Sequence, residues 1–260
     1  MDIRLDGRGA VITGGSLGLG RAIATRFADS GAKVVIAGRG ADSLEAAKAA
    51  IKEATGQDVT TVQADVSTAE GCAHLIDAAE AALGQVDILV NNAGTSARGP
   101  FLEVDDAAWQ TDLDLKLFAH VRLCRRVLPA MAERKWGRII NVLNIGSKAP
   151  QAEGAPTAVS RAAGLALTKL LASEFAPHNV LVNAMLVGKI RSNQWEKRHA
   201  KAGDNRSLDE YYGDIGKGIP LGRYGYSEEF ADLACFLASE NAGYVTGTGI
   251  NVDGGLSPVV

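Results

Sequence analysis

Closely set glycines in Thr13-Gly-Gly-Ser-Leu-Gly-Leu-Gly20 are the first sign of chemistry along the chain. A short apolar run, Ala10–Ile12, feeds this turn, and a helical pattern leaves it with Leu19, Ile23 and Phe27 on one face. Glycines let the backbone approach a phosphate closely, and a new helix directs its free N–H groups at that phosphate. Gly14, Ser16, Leu17, Gly18 and Gly20 are therefore candidate phosphate contacts. A second cue follows the next strand-like run, at Ala37-Gly38-Arg39. No carboxylate stands there to accept a pair of ribose hydroxyls, and Arg39 offers a cationic fork suited to a further phosphate.

The elements that must position these residues alternate along the chain. Lys33–Ala37, Val59–Ala64, Val86–Asn91, Arg138–Leu143 and Val180–Met185 are short runs rich in Val and Ile. Between them, Ser43–Ala54, Ala69–Leu83, Asp106–Glu133 and Ala158–Ala176 carry helical periodicity. This order predicts a parallel sheet covered by helices on both faces, in a single domain spanning 1–260. The interval 189–222 breaks the rhythm with Trp195, Tyr211 and Tyr212 among charged residues, and is expected to form a substrate lid.

Composition narrows the partners. With 47% hydrophobic and 22% charged residues, the chain has the balance of a soluble globular domain. A net charge of −3 without a basic cluster argues against nucleic acid or an anionic membrane surface. Cys72, Cys124 and Cys235 are scattered, as expected of a cytoplasmic protein with reduced thiols. No signal peptide or membrane span is expected at the N-terminus, and the four histidines lack metal-ligand spacing.

The glycine turn, Asp65 after its apolar run, and Asn91-Asn-Ala-Gly94 together resemble the short-chain dehydrogenase/reductase family over essentially the whole chain. The resemblance implies a Rossmann-type doubly wound parallel sheet of about seven strands. It adds Asp65, Val66, Asn91, Ala93, Gly94, Arg161, Gly188 and Ser192 to the expected dinucleotide contacts. With Arg39, it implies NADP(H) in preference to NAD(H), and helices that pair into a homodimer or homotetramer. Where the family keeps its catalytic Asn, Ser, Tyr and Lys, the resemblance implies Asp114, Asn144, Thr157 and Arg161. Counting from Asn144 at the end of Gly137–Asn144, the Tyr position falls thirteen residues on at Thr157 and the Lys position four later at Arg161. No tyrosine occurs before Tyr211.

An aliphatic hydroxyl is a far weaker acid than a phenol, and a guanidinium with a pKa above about 12 is no proton shuttle. Asp114 is expected to pair with Arg161, and Asn144 to hold a substrate oxygen. Lys148, Lys189, His199, Tyr211 and Tyr212 are further candidates for the missing acid. Three readings follow. The first is an NADP(H)-dependent oxidoreductase acting on a small carbonyl or alcohol by a modified mechanism. The second is a lyase or dehalogenase that uses the dinucleotide otherwise. The third is a silent dinucleotide-binding protein.

Overall fold

The computed structural model describes residues 2–192, 195–196, 199–200 and 206–260. Its strands are β1 (Gly9–Thr13), β2 (Lys33–Gly38), β3 (Val59–Gln63), β4 (Ile88–Asn91), β5 (Arg98–Gly99), β6 (Gly137–Asn144), β7 (Ala155–Pro156), β8 (Val180–Val187) and β9 (Gly249–Val252). Seven of them form one parallel sheet in the order β3-β2-β1-β4-β6-β8-β9, while β5 and β7 pair separately and antiparallel. Strands β1, β6 and β8 are buried along nearly their whole length because helices cover both faces of the sheet. On one face, α1 (Gly18–Asp29), α2 (Ala41–Thr55) and α8 (Ser227–Ala238) bury Ile23, Phe27, Leu44, Ile51 and Phe230. On the other, α3 (Ala69–Leu83), α5 (Ala119–Glu133) and α6 (Thr157–Phe175) bury Leu75, Ile76, Leu123, Val127 and Leu171.

The chain runs outward from β1 to β3 and then returns to the opposite side of β1 as β4. Connections leave these neighbours in opposite directions, which opens a crevice at their carboxyl ends. Thr13 and Asn92 hold its two lips together. The Thr13 hydroxyl accepts the N–H groups of Asn92 and Ala93 at 2.9 and 3.0 Å. The Asn92 amide in turn donates to the carbonyls of Thr13 and Gly14 at 2.9 and 3.2 Å.

One expected helix is not continuous. The segment Asp106–Glu133 comprises α4 (Asp106–Leu113), a π-helical turn at Asp114–Phe118, and α5. A π turn takes one more residue than an α turn, and so shifts which side chains face inward. Asp112, Lys116, His120 and Cys124 are buried at a strict four-residue spacing, while Leu113, Leu117 and Val121 are only half-buried.

The 189–222 interval is also not wholly irregular, since α7 (Leu208–Gly216) begins there on a Ser207–Glu210 capping box. Residues 193–194, 197–198 and 201–205 of the expected lid lie outside the described residues. Among the described residues, no helix is long and apolar enough to cross a membrane.

His120 is 2% exposed, and neither ring nitrogen finds a hydrogen-bond partner among the described residues. Burial, aided by the nearby Arg161 cation, pushes its pKa from 6.5 down to about 3. The unfolded chain takes up this proton near pH 6.5 and the folded chain does not. Stability should therefore fall as pH drops between those values, by roughly 1 kcal/mol per pH unit. His120→Leu is expected to show a shallower loss of Tm than the wild type between pH 6 and pH 4, as thermal melts will report.

Candidate active site

A cleft of about 500 Å³ runs along the carboxyl end of the sheet. Of the residues expected to contact a dinucleotide, Gly14, Ser16, Leu17, Gly18, Gly20, Arg39, Asp65, Val66, Ala93, Gly94, Arg161, Gly188 and Ser192 line it. Close approach explains one of the glycines. A Cβ on Gly20 would lie 2.2 Å from the Gly14 carbonyl oxygen and 2.5 Å from the Asn92 amide nitrogen. Gly18 is different: its φ is +52°, and a Cβ there would meet only Ser192, at 3.9 Å. The space before the N-terminus of α1 is thus open. Among the described residues, that helix has neither a side-chain cap nor an acidic residue in its first turn.

Asn91 does not reach the cleft. It is fully buried on the α5–α6 side of β4, where its amide donates to Asn141 at 2.8 Å. Its neighbour Asn92, unmarked in the sequence, is the one on the cleft wall. Alternation along β4 turns consecutive side chains to opposite faces. Asp65 accepts the backbone N–H and hydroxyl of Ser67 at 3.0 and 2.8 Å. Burial alone would raise its pKa, but these bonds and the Arg39 charge outweigh it and hold the carboxyl below its ordinary range. Thr68 caps α3.

At the far end of the cleft lie Asn144, Thr157 and Arg161. The Arg161 guanidinium donates to the Val142 carbonyl at 2.8 Å and packs against Gly94, whose missing Cβ leaves the room for it. Burial lowers its pKa to about 10, with Asp112 opposing, so it falls below the value above 12 expected from sequence. It still remains a cation at neutral pH. Asn144 keeps a buried side-chain oxygen without a partner among the described residues.

Asp114 is not the carboxylate of this site. It lies outside the cleft wall, paired with Arg122 at 3.0 Å and accepting from Gln110 at 2.8 Å. Asp112, near the end of α4, and Lys116, within the π turn, face inward instead. Lys116 is fully buried; its ammonium contacts the Asp112 carboxylate and donates to the Thr157 hydroxyl at 2.8 Å. The Ser160 hydroxyl donates to the other Asp112 oxygen at 2.6 Å. Burial lowers the Lys116 pKa from 10.5 and the Arg161 charge lowers it further, while Asp112 acts against both. Sequence reasoning missed Asp112, Lys116 and Ser160. The available signal was an Asp and a Lys four apart, on one face of the helix.

The other acid candidates face elsewhere. Tyr211 and Tyr212 are buried with Ile219 and Tyr224 in a cluster of their own, where burial pushes the Tyr212 phenol up. Lys148 donates to the Gly249 carbonyl at 2.7 Å, and His199 bonds the Arg206 carbonyl at 2.8 Å. Neither these nor Lys189 line the cleft.

A glycine turn at the switch point of a doubly wound parallel sheet defines a protein of the dinucleotide-binding α/β class. Residues 14–257 match the family model described as enoyl-(acyl carrier protein) reductase. The chain belongs to the short-chain dehydrogenase/reductase family. It is 36% identical over 250 residues to nodulation protein G of Azospirillum brasilense, covering 95% of this chain and 97% of that one. It is 32% identical over 256 residues to the 3-oxoacyl-[acyl-carrier-protein] reductase FabG of Aquifex aeolicus, covering 98% and 100%. Among solved structures, the L-sorbose reductase of Gluconobacter frateurii, complexed with NADPH and L-sorbose, superposes with a TM-score of 0.94 at 35% identity, covering both chains fully.

Removing one partner of a buried ion pair strands the other charge, at a cost of about 3–5 kcal/mol. Asp112→Asn should lose stability on that scale in urea denaturation. Asp114→Asn, which breaks a part-exposed pair, should stay within about 1 kcal/mol of the wild type.

Proposed function

We propose that this protein is an NADP(H)-dependent oxidoreductase that acts on a small carbonyl or alcohol through a modified proton path. The observation that carries this reading is the continuity of the cleft. It runs from Arg39, past the open glycine turn, to Asn144, Thr157 and Arg161. Arg39 is exposed at one end and forms no ion pair among the described residues, Asp42 included. That leaves its guanidinium for a 2′-phosphate. The uncapped N-terminus of α1 and the room before Gly18 suit the pyrophosphate.

When bound, such a cofactor supplies or accepts hydride at its nicotinamide. The chain's own residues do the rest. Arg161 fixes a positive charge beside the reacting centre, and Asn144 on the cleft wall carries an amide N–H group of the kind that donates to a substrate oxygen. The NADPH named with the sorbose reductase supports the cofactor assignment. A cytoplasmic setting belongs to the same reading, with three free, buried thiols.

The reading includes self-association. Phe118, Val159 and Leu170 are 41%, 52% and 57% exposed on the outer faces of the π turn and α6. Apolar helix faces of this kind suit a two-fold interface. A dimeric or tetrameric mass by light scattering at micromolar concentration is expected; a monomer would contradict it.

A charge-assisted contact to the 2′-phosphate is worth about 1.5–3 kcal/mol, so NADPH should bind roughly tenfold or more tightly than NADH. Arg39→Ala should abolish that preference in titrations, and equal wild-type affinities would reject it. Oxidation of NADPH with a carbonyl panel, or reduction of NADP with alcohols, supports the oxidoreductase reading. Substrate conversion without net cofactor change favours a lyase or dehalogenase, and cofactor binding with neither favours a silent protein.

A further inference from the structure

We propose that Lys116 is the proton donor of this site and that Thr157 passes its proton to the substrate oxygen. The inference rests on the oxidoreductase reading and supplies the acid that the cleft wall lacks among the described residues. Thr157 is the first residue of α6 and faces the cleft. Its hydroxyl oxygen accepts from Lys116 at 2.8 Å and from the Ala97 N–H at 3.2 Å, and its single proton goes to the Ala97 carbonyl at 2.5 Å. Thr157 therefore lines the cleft while its hydroxyl bonds a buried ammonium.

The surroundings make that ammonium a usable acid. Asp112 from α4 and Arg161 from α6 are the charged groups facing it, and His120 from α5 stays neutral. Asp112 is held in place by Ser160, so the carboxylate orients Lys116 without leaving it. Desolvation and Arg161 together make proton loss easier than for an ordinary lysine.

As the carbonyl carbon accepts hydride from a reduced nicotinamide, the C=O π pair moves to oxygen. That oxygen takes the Thr157 hydroxyl proton, which has swung from Ala97, while Thr157 Oγ1 takes a proton from Lys116 Nζ. The products are an alcohol and a neutral Lys116 amine. Water entering after product release returns the proton by the same path, and alcohol oxidation runs the steps in reverse. Threonine is too weak an acid to donate alone, but a concerted relay never leaves it as an alkoxide.

The test compares wild type, Thr157→Val, Thr157→Ser and Lys116→Met at saturating NADPH, using a carbonyl substrate found in the panel. Loss of a positioned acid typically costs 10²–10⁴ in rate. Thr157→Val, almost the same shape, should lose about a hundredfold or more in kcat with NADPH affinity retained, and its Tm should fall because the bonds to Lys116 and Ala97 are lost. Thr157→Ser should recover turnover to within about tenfold of wild type. The wild-type reduction rate should fall as pH rises through a value below 10.5, and that limb should vanish in Thr157→Val and Lys116→Met.

A curved proton inventory in the wild type, straight in Thr157→Val, would show two protons in flight. Full activity with an unchanged pH profile in Thr157→Val overturns the relay alone, leaving the Asp112–Lys116 pair as a fastener between helices. NMR titration of labelled lysine, with the Lys116 signal assigned by its loss in Lys116→Met, gives a readout independent of turnover. An ammonium titrating at or above 10.5 also overturns the relay. A wild type that binds NADPH but turns over no carbonyl or alcohol overturns the oxidoreductase reading, and the relay with it.

Discussion

The arrangement around Thr13 and Asn92 governs the rest of the structure, because it ties together two strands whose connections diverge. The Thr13 hydroxyl takes two backbone N–H groups from the end of β4, and the Asn92 amide returns two bonds to the end of β1. These groups sit where, among the described strands, the order of the sheet reverses. With both lips held, the glycine turn cannot collapse into the crevice. Gly20 is then compelled by contact, since any side chain would strike the Gly14 carbonyl and the Asn92 amide. An open phosphate cradle is thus a consequence of how two strand ends are bonded, and the glycines are what that bonding requires.

The second constraint is a buried set of charges. Asp112, Lys116 and Arg161 are each at most 8% exposed, and they stand behind the wall that Thr157 and Arg161 present to the cleft. Desolvating such groups is expensive, and a buried pair by itself is weak evidence for stability. What the arrangement achieves is placement. The Asp112 carboxylate is shared between Lys116 and Ser160, Lys116 reaches Thr157, and Arg161 is held on the Val142 carbonyl. The charges that press on Lys116 and Arg161 therefore come from two different helices and act on one end of the cleft.

Much of this was legible in the sequence because it depends on local rules. Apolar runs bounded by glycine marked the strands to within a residue or two, as with Lys33–Ala37 against Lys33–Gly38. The helix Ala69–Leu83 is where its periodicity put it. The glycine turn and Arg39 announced a cleft that holds both. Asn91 and Asp114 show the limit. Each is one or two residues from the side chain that takes the place expected of it, Asn92 in one case and Asp112 with Lys116 in the other. In a strand a shift of one reverses the face, and in a helix a π turn rotates everything beyond it.

The sequence by itself determined the fold class, the phosphate-binding turn, and the absence of a tyrosine from the first 210 residues. These follow from composition and short-range pattern, which survive small errors of register. Only the tertiary structure decided which charges meet. Lys116 and Thr157 are 41 residues apart, and Asp112 and Ser160 are 48 apart. Their contact depends on the phase of one π turn and on how α4, α5 and α6 pack, and no local preference encodes that. Burial then changed the chemistry of the groups it enclosed, lowering the pKa of Arg161, Lys116 and His120 through loss of water. A sequence states which groups a chain carries; only packing determines what surrounds them, and hence how readily each gives up a proton.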